Sequence, residues 1–180
     1  MENIDTAQRG IVVVGVDGSA GAREALRWAV AEARLRQTRL RVVHAWTFDY
    51  QPAVGAGYGY YGYPYVGDEL NRTPYGLDGL RQAAEALVER TIFDEVTDAV
   101  EIERHVVEGS PVDVLINAVE EDDLLVVGSR GRGGFAGLLL GSVSQQCVHH
   151  APCPVVVVRL VTSPSSRSAP VGRERGAGMK

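Results

Sequence analysis

Lysine is nearly absent from this chain. Among 180 residues and 18 basic side chains there is a single lysine, Lys180, at the last position. A P-loop of the GxxxxGK[ST] kind is therefore excluded, because its lysine must reach the β- and γ-phosphates. Cysteine is scarce as well. Cys147 and Cys153 are the only two, too few for a disulfide-stapled scaffold and in keeping with free thiols in a reducing compartment. No apolar run approaches the roughly 18 residues of a membrane span. The opening stretch MENIDTAQRG is polar and acidic, the opposite of a secretory leader. The expected location is cytoplasmic, with no membrane partner. An excess of positive charge is also missing: the net charge is −5, so no nucleic-acid surface is indicated.

What is present is an ordinary globular composition, 45% apolar and 23% charged, of a length that suits one domain with tails. We expect residues 1–9 to be an N-terminal tail and 10–160 the domain. Residues 161–180, rich in Ser, Pro, Gly and Arg with little that is apolar, are expected to be a disordered tail. Five apolar runs read as strands: IVVVGV at 11–16, LRVVHAW at 40–46, EIERHVVEG at 101–109, DLLVVGS at 123–129 and PVVVVRL at 154–160. Helical spacing lies between them. From Ser19, a fitting N-cap, to about Gln37 the residues Ala22, Ala25, Leu26, Ala29, Val30 and Ala33 fall on one face. A second helix spans about 78–94, with Leu80, Ala83, Ala84, Leu87 and Val88 on its apolar face. A third spans 110–121 with Ser110 at N-cap and Pro111 at N1, and a short fourth spans 142–150.

Strands alternating with helices predict an α/β fold: a five-stranded parallel sheet covered on both faces, a Rossmann-like three-layer sandwich. Such sheets bind ligands at the carboxyl ends of their strands, where the winding reverses. Two strand ends carry unusual residues, GVDGS after the first and GSRGRGG after the fourth. The strand order 3-2-1-4-5 would bring both loops to one crevice.

The second of those loops opens GSRGRGGFAGLLLGS, residues 128–142, in which six of fifteen residues are glycine. Gly128 ends the strand, and Gly131 permits close backbone approach. Gly133, Gly134 and Gly137 give a flexible arch. Gly141 and Ser142 open the next helix, whose free N–H groups and positive dipole end favour an anion. The Ser142 hydroxyl can donate to a phosphate, and Arg130 and Arg132 can add charge. The first loop is a poor dinucleotide fingerprint, because Asp17 stands where GxGxxG needs its second glycine.

The pattern Gly128-x2-Gly131-x9-Gly141-Ser142, with VDGS after the first strand and HHAPCPVVVV near the end, resembles the universal stress protein family. The likeness covers about residues 10–160. It implies the ATP-binding fold of that family, with strand order 3-2-1-4-5. It also implies residue roles. Asp17 matches an acid that contacts the adenosine portion, with Gly15 and Val16 lining the same strand end. Ala45 matches a position whose backbone recognises adenine. Gly128 and Gly131 match the ribose and phosphate loop, and Gly141, Ser142, Val143 and Ser144 the phosphate-binding helix start. Gly15 and Ala45 are smaller than the residues often found there, which implies a looser adenine pocket. The expected ligand is ATP, with magnesium as its accompanying ion. The alternatives are slow ATP hydrolysis and cyclic AMP binding. No catalytic base is identifiable, so a nucleotide-dependent binding protein in stress response or signalling is expected rather than an enzyme.

Other features read more plainly. Cys147, His149, His150 and Cys153 lie close in sequence, but their helical spacing does not converge them for zinc, and a helix end with a buried thiol is expected. His44 is expected to be packed and hydrogen-bonded, Asp122-Asp123 a solvated turn, and Glu108 a surface acid. All seven tyrosines lie in an aperiodic Tyr/Gly-rich insertion at about 47–77, read as a surface loop, or else as a lid or a surface for an unknown protein partner. The fifth strand, Val155, Val156, Val157 and Val158, is apolar and without blunting charge. As a sheet edge it invites a homodimer.

Overall fold

The computed structural model describes residues 10–47, 76–97, 99–131 and 139–160, without the side chains of residues 76 and 77. Both tails, nearly all of the Tyr/Gly-rich insertion, Arg132 and the glycines of the arch lie outside the described residues. Nine elements follow one another: β1 (Val12–Gly15), α1 (Ala20–Arg36), β2 (Leu40–Trp46), α2 (Gly76–Glu95), β3 (Ile102–Glu108), α3 (Pro111–Asn117), β4 (Leu124–Gly128), α4 (Ser142–His150) and β5 (Val155–Val158). The five strands form one sheet in the order β3-β2-β1-β4-β5. All four pairings are parallel. This is the expected α/β architecture.

The central strand shows why. Val12, Val13 and Val14 are fully buried, and β-branched side chains suit a strand covered on both faces. Val12 and Val14 join one core with α1 and α2, which includes Leu26, Val30, Val88 and Ile92. Val13 joins the other with α3 and α4, which includes Val114, Leu115 and Cys147. The sheet thus separates two apolar cores. Leu26 is wholly buried, and truncating such a side chain to alanine costs about 2–5 kcal/mol.

α1 buries Ala22, Ala25, Leu26, Ala29, Val30 and Ala33, the face its spacing predicts. Ser19 caps it, accepting a hydrogen bond from the Ala22 N–H at 3.2 Å. Gln37 closes it in the left-handed region at φ 55°. α2 departs from its prediction. It buries Ala84, Val88, Thr91 and Ile92, whereas Ala83 is exposed. The inward face is rotated toward the C-terminal part of the helix, where Glu95 receives Arg27 from α1. α3 begins at Pro111 as expected but stops at Asn117, short of the predicted 121. Ser110 occupies its N-cap without a side-chain bond.

Asp123 requires a correction. Asp122 is exposed, but Asp123 is 7% exposed. Its carboxylate accepts the Ile11 N–H at 2.8 Å and the Glu120 N–H at 2.9 Å. It is a latch between the chain entering β1 and the turn entering β4, not part of a solvated turn. Beside it, a Cβ on Gly10 would land on the Asp122 carbonyl oxygen, and the Thr38 hydroxyl donates to the Gly10 carbonyl at 3.2 Å.

Candidate functional site

The order β2-β1-β4 puts the C-terminal ends of these three strands side by side. The winding reverses between β1 and β4, the position where open parallel sheets take ligands. At the end of β1, Gly15 lies beside Val43 in the sheet register. The Val16 N–H donates to the Val43 carbonyl at 2.9 Å. His44 Nδ1 lies 2.7 Å from the Val16 carbonyl oxygen, and the ring is 2% exposed. His44 is therefore a packed residue that ties β2 to the chain leaving β1, as its place in a buried strand suggests. Ala45, half-buried, follows it on β2.

Asp17 stands where the chain turns from β1 into α1. Its Oδ1 accepts the Ser19 N–H at 2.9 Å, an Asx-type turn that fixes the carboxylate. Gly18 follows at φ 78°, in the region that favours glycine. The Asp17 carboxylate faces the β4 loop: a Cβ on Gly131 would stand 2.5 Å from Asp17 Oδ2. Any side chain at 131 would displace the acid.

Gly141 is the N-cap of α4, with extended backbone and no side-chain bond to the helix. Its Cα points toward the same loop, since a Cβ there would lie 3.6 Å from Arg130 Cα and 3.9 Å from the Gly131 nitrogen. These are ordinary contacts, so no protein atom demands a glycine at 141. The helix then opens with Ser142, Val143 and Ser144. These positions carry N–H groups that a helix leaves without intrahelical partners, at its positive end. The Ser142 side chain is exposed, whereas Ser144 is 3% exposed. The Ser144 hydroxyl lies 3.0 Å from both the Ser129 and the Gly141 carbonyl oxygens. Its side chain holds the loop together, and its backbone N–H is the group left for a ligand. Arg130 is exposed at the rim.

The eleven residues singled out by sequence thus gather at one edge of the sheet. Gly15, Val16, Asp17 and Ala45 form the β1–β2 side. Gly128, Arg130, Gly131, Gly141, Ser142, Val143 and Ser144 form the β4–α4 side, and Asp17 meets Gly131 between them. Two residues escaped sequence reading. Ser129, 7% exposed, accepts from the Gly141 N–H at 2.7 Å and donates its own N–H to the Val158 carbonyl at 2.7 Å. Gly21 lies in the first turn of α1 against the β4 loop. The signal for Gly21 was a glycine inside an otherwise good helical pattern, which points to close packing or function.

The far end of α4 is chemically quiet. Cys147 is fully buried and Cys153 nearly so, both as free thiols. Burial pushes the Cys147 thiol up to about 11, with neighbouring Cys153 adding to the rise. Burial also raises Cys153. His149 and His150 are exposed beside them, with His149 Nδ1 2.8 Å from the Gln145 carbonyl. The four side chains do not converge. Among the described residues, no group of three or more His, Cys, Asp or Glu is placed to hold a metal.

Comparison with known proteins places these features. A universal stress protein of Thermus aquaticus is 35% identical over 150 residues, covering 82% of this chain and 97% of that protein. A universal stress protein of Mycobacterium tuberculosis is also 35% identical, over 84% of this chain but 46% of its own length. The chain spans about half the length of such mycobacterial relatives. Among solved structures, a universal stress protein from Archaeoglobus fulgidus is 26% identical with a TM-score of 0.52, covering 83% of this chain and 98% of that one. One solved in complex with cAMP is 25% identical with a TM-score of 0.52, covering 84% of this chain and 97% of that one. UspA from Lactobacillus plantarum shares the fold at a TM-score of 0.60 and 24% identity, over 83% of this chain and 97% of its own. No helix among the described residues is long and apolar enough to cross a membrane. The model of the universal stress protein family matches residues 9–159, and the chain belongs to that family.

Proposed function

We propose that this protein binds ATP in the crevice at the carboxyl ends of β1 and β4 and acts as a nucleotide-dependent stress-response or signalling protein. The observation that carries the reading is the meeting of Asp17, Gly131 and the start of α4. The acid is held by the Ser19 N–H, and the loop glycine leaves room that a Cβ would fill. The helix start beside it offers the N–H groups of Ser142, Val143 and Ser144 to an anion. Asp17, Val16 and the backbone at Ala45 suit a nucleoside, Gly128 and Gly131 a ribose and first phosphate, and the helix start the outer phosphates, with Arg130 at the rim. Magnesium would travel with the phosphates, which together with water and a carboxylate or two supply its ligands in such sites.

A holding role fits these residues better than rapid hydrolysis. Among the described residues Asp17 is the carboxylate at the meeting point, and its Oδ1 holds the turn into α1. The chain's only lysine is Lys180. Phosphoryl transfer to water needs a group that orients the attacking water and charge at the transferred phosphate, and Arg130 supplies only the second. Cyclic AMP is the second reading, favoured by the relative solved with that ligand. Titration calorimetry with ATP and with cyclic AMP, followed by competition, distinguishes them. ATP binding that is weakened in Gly131→Val upholds the proposal. Tighter binding of cyclic AMP transfers the site to the second reading, and binding of neither sinks both.

The same proposal extends to a two-fold dimer through β5. The two sheet edges differ in kind. On the β3 edge Arg104 pairs with Glu89 at 2.6 Å, and Glu103 is bracketed by Arg39 and Arg41. Burial would raise the Glu103 carboxyl, but the bond from Arg41 and the charge of Arg39 outweigh it and leave it below its ordinary range. The β5 edge offers four half-buried valines instead. Charge on an edge blocks strand pairing, and bare valine invites it. Val157→Lys is expected to convert a dimer to a monomer in light scattering; a wild type that is monomeric at micromolar concentration would count against the dimer.

A further inference from the structure

We propose that Gly21 is a positioning residue of the nucleotide site, holding the loop of residues 128–131 against the first turn of α1 so that its backbone is presented in one place. This rests on the nucleotide reading above. Gly21 touches no ligand in that reading and acts through Arg130 and Gly128.

Glycine inside a helix costs about 0.5–1 kcal/mol relative to alanine, and is also a weaker helix former than alanine in the first turn. This helix carries one where a Cβ would stand 2.7 Å from the Arg130 carbonyl oxygen. The contact is reciprocal. A Cβ on Gly128 would stand 2.8 Å from the Gly21 carbonyl carbon, 2.9 Å from its oxygen and 3.1 Å from the Ala22 nitrogen. Two stretches of backbone therefore lie against each other with no side chain between them. The opposing atoms are main chain on both sides, so no rotamer change relieves an added methyl group.

The loop is gripped from its other side too. The Ser129 carbonyl takes the Gly141 N–H at 2.7 Å and the Ser144 hydroxyl at 3.0 Å. The Ser129 N–H goes to the Val158 carbonyl at 2.7 Å. The Asp17 carboxylate stands against Gly131. Residues 128–131 are therefore fixed between α1 on one side and α4 with β5 on the other. A site whose backbone is already in place spends less of its binding energy on ordering itself. A methyl at 21 pushes the Arg130 carbonyl away from α1 and carries the loop toward the ligand volume or toward α4.

The test pairs Gly21→Ala with Gly10→Ala. Both add a methyl against a backbone carbonyl, at opposite ends of the sheet. ATP affinity is measured by titration calorimetry, stability by urea unfolding, and loop order by amide hydrogen exchange of the ligand-free proteins. Gly21→Ala is expected to weaken ATP binding roughly 5–30-fold and to speed exchange at Ser129 and Gly141. Gly10→Ala is expected to lose stability and keep the affinity of the wild type while folded. Wild-type affinity in Gly21→Ala, or an equal loss in both variants, overturns the proposal. If the wild type binds no adenine nucleotide, the nucleotide reading fails, and exchange at Ser129 and Gly141 alone decides the role of Gly21. If Gly21→Ala does not fold, wild-type exchange decides: protection of Ser129 and Gly141 matching that of Ala22 supports one shared unit, and much faster exchange at Ser129 overturns it.

Discussion

The two ends of the sheet are built from similar materials to opposite purposes. At the N-terminal end the described Asp123 and Thr38 side chains both bond to the protein's own backbone. Asp123 takes the N–H groups of Ile11 and Glu120, and Thr38 closes on the Gly10 carbonyl. Cys147 and Cys153 lie buried where α4 runs out toward that end. At the C-terminal end the backbone is gathered by Gly21, Gly128 and Gly131, and the start of α4 leaves N–H groups facing the crevice. Each end contains an aspartate that organises a turn. Asp123 spends both oxygens on the protein. Asp17 is held through Oδ1 by Ser19, with Oδ2 turned toward the glycine loop. Parallel sheets make this division, because the helix N-termini all lie at the carboxyl ends of the strands.

The comparison breaks most visibly at Asp123. Replacing it with alanine leaves the buried Ile11 N–H and the part-buried Glu120 N–H without their acceptor, so urea unfolding is expected to show a loss of about 2–4 kcal/mol. ATP affinity in the folded variant should be unchanged; a parallel loss of affinity would mean that the two ends are not independent. A smaller effect of the opposite kind is expected at Gly131. Gly131→Val drives a side chain into Asp17, and nucleotide affinity should fall about 10–100-fold, equivalent to roughly 1.4–2.7 kcal/mol. The urea midpoint should move little, because residue 131 is exposed.

The smallest effect concerns pH. The Cys147 thiol is held neutral up to about 11 in the fold, against an ordinary value of 9.0. Above pH 9 the unfolded chain releases this proton and the folded one keeps it, so stability falls as pH rises. The contribution is complete below the unfolded value and is lost on the way to the folded one. Urea unfolding is expected to show a decline of roughly 1–2 kcal/mol as the pH is taken from 9 toward 11. Cys147→Ala should flatten that slope, and an unchanged slope would assign it to other groups.

Much of this architecture was legible in the sequence, and for physical reasons. Strands such as VVVG and LLVVG are apolar throughout because both faces are covered, and the helix from Ser19 displays its buried face at regular spacing. The meeting of the first and fourth strand ends came from the family resemblance, which implies the order 3-2-1-4-5. What escaped notice depended on atoms that pattern does not reveal. Asp123 sits beside the exposed Asp122 in a run of acids, and only the fold tells which of the two turns inward. Ala83 has the right period for α2, but the buried stripe runs through Ala84, Val88, Thr91 and Ile92 and leaves it outside. Gly21 is unremarkable as a letter and becomes informative only when the Arg130 carbonyl is seen beside it. Ser129 follows Gly128 like an ordinary loop serine, yet three hydrogen bonds run through its backbone.

The seam between Gly21 and Gly128 also bears on how the protein can change over time. A core of valine and leucine drifts easily, because a neighbour can re-pack around an exchanged methyl group. Main chain lying on main chain has no such slack. Two neighbouring positions at the mouth of the crevice are therefore frozen together: neither can acquire a side chain unless α1 and the loop move apart. Arg130 and Ser142, whose side chains are exposed at the rim, meet no such constraint.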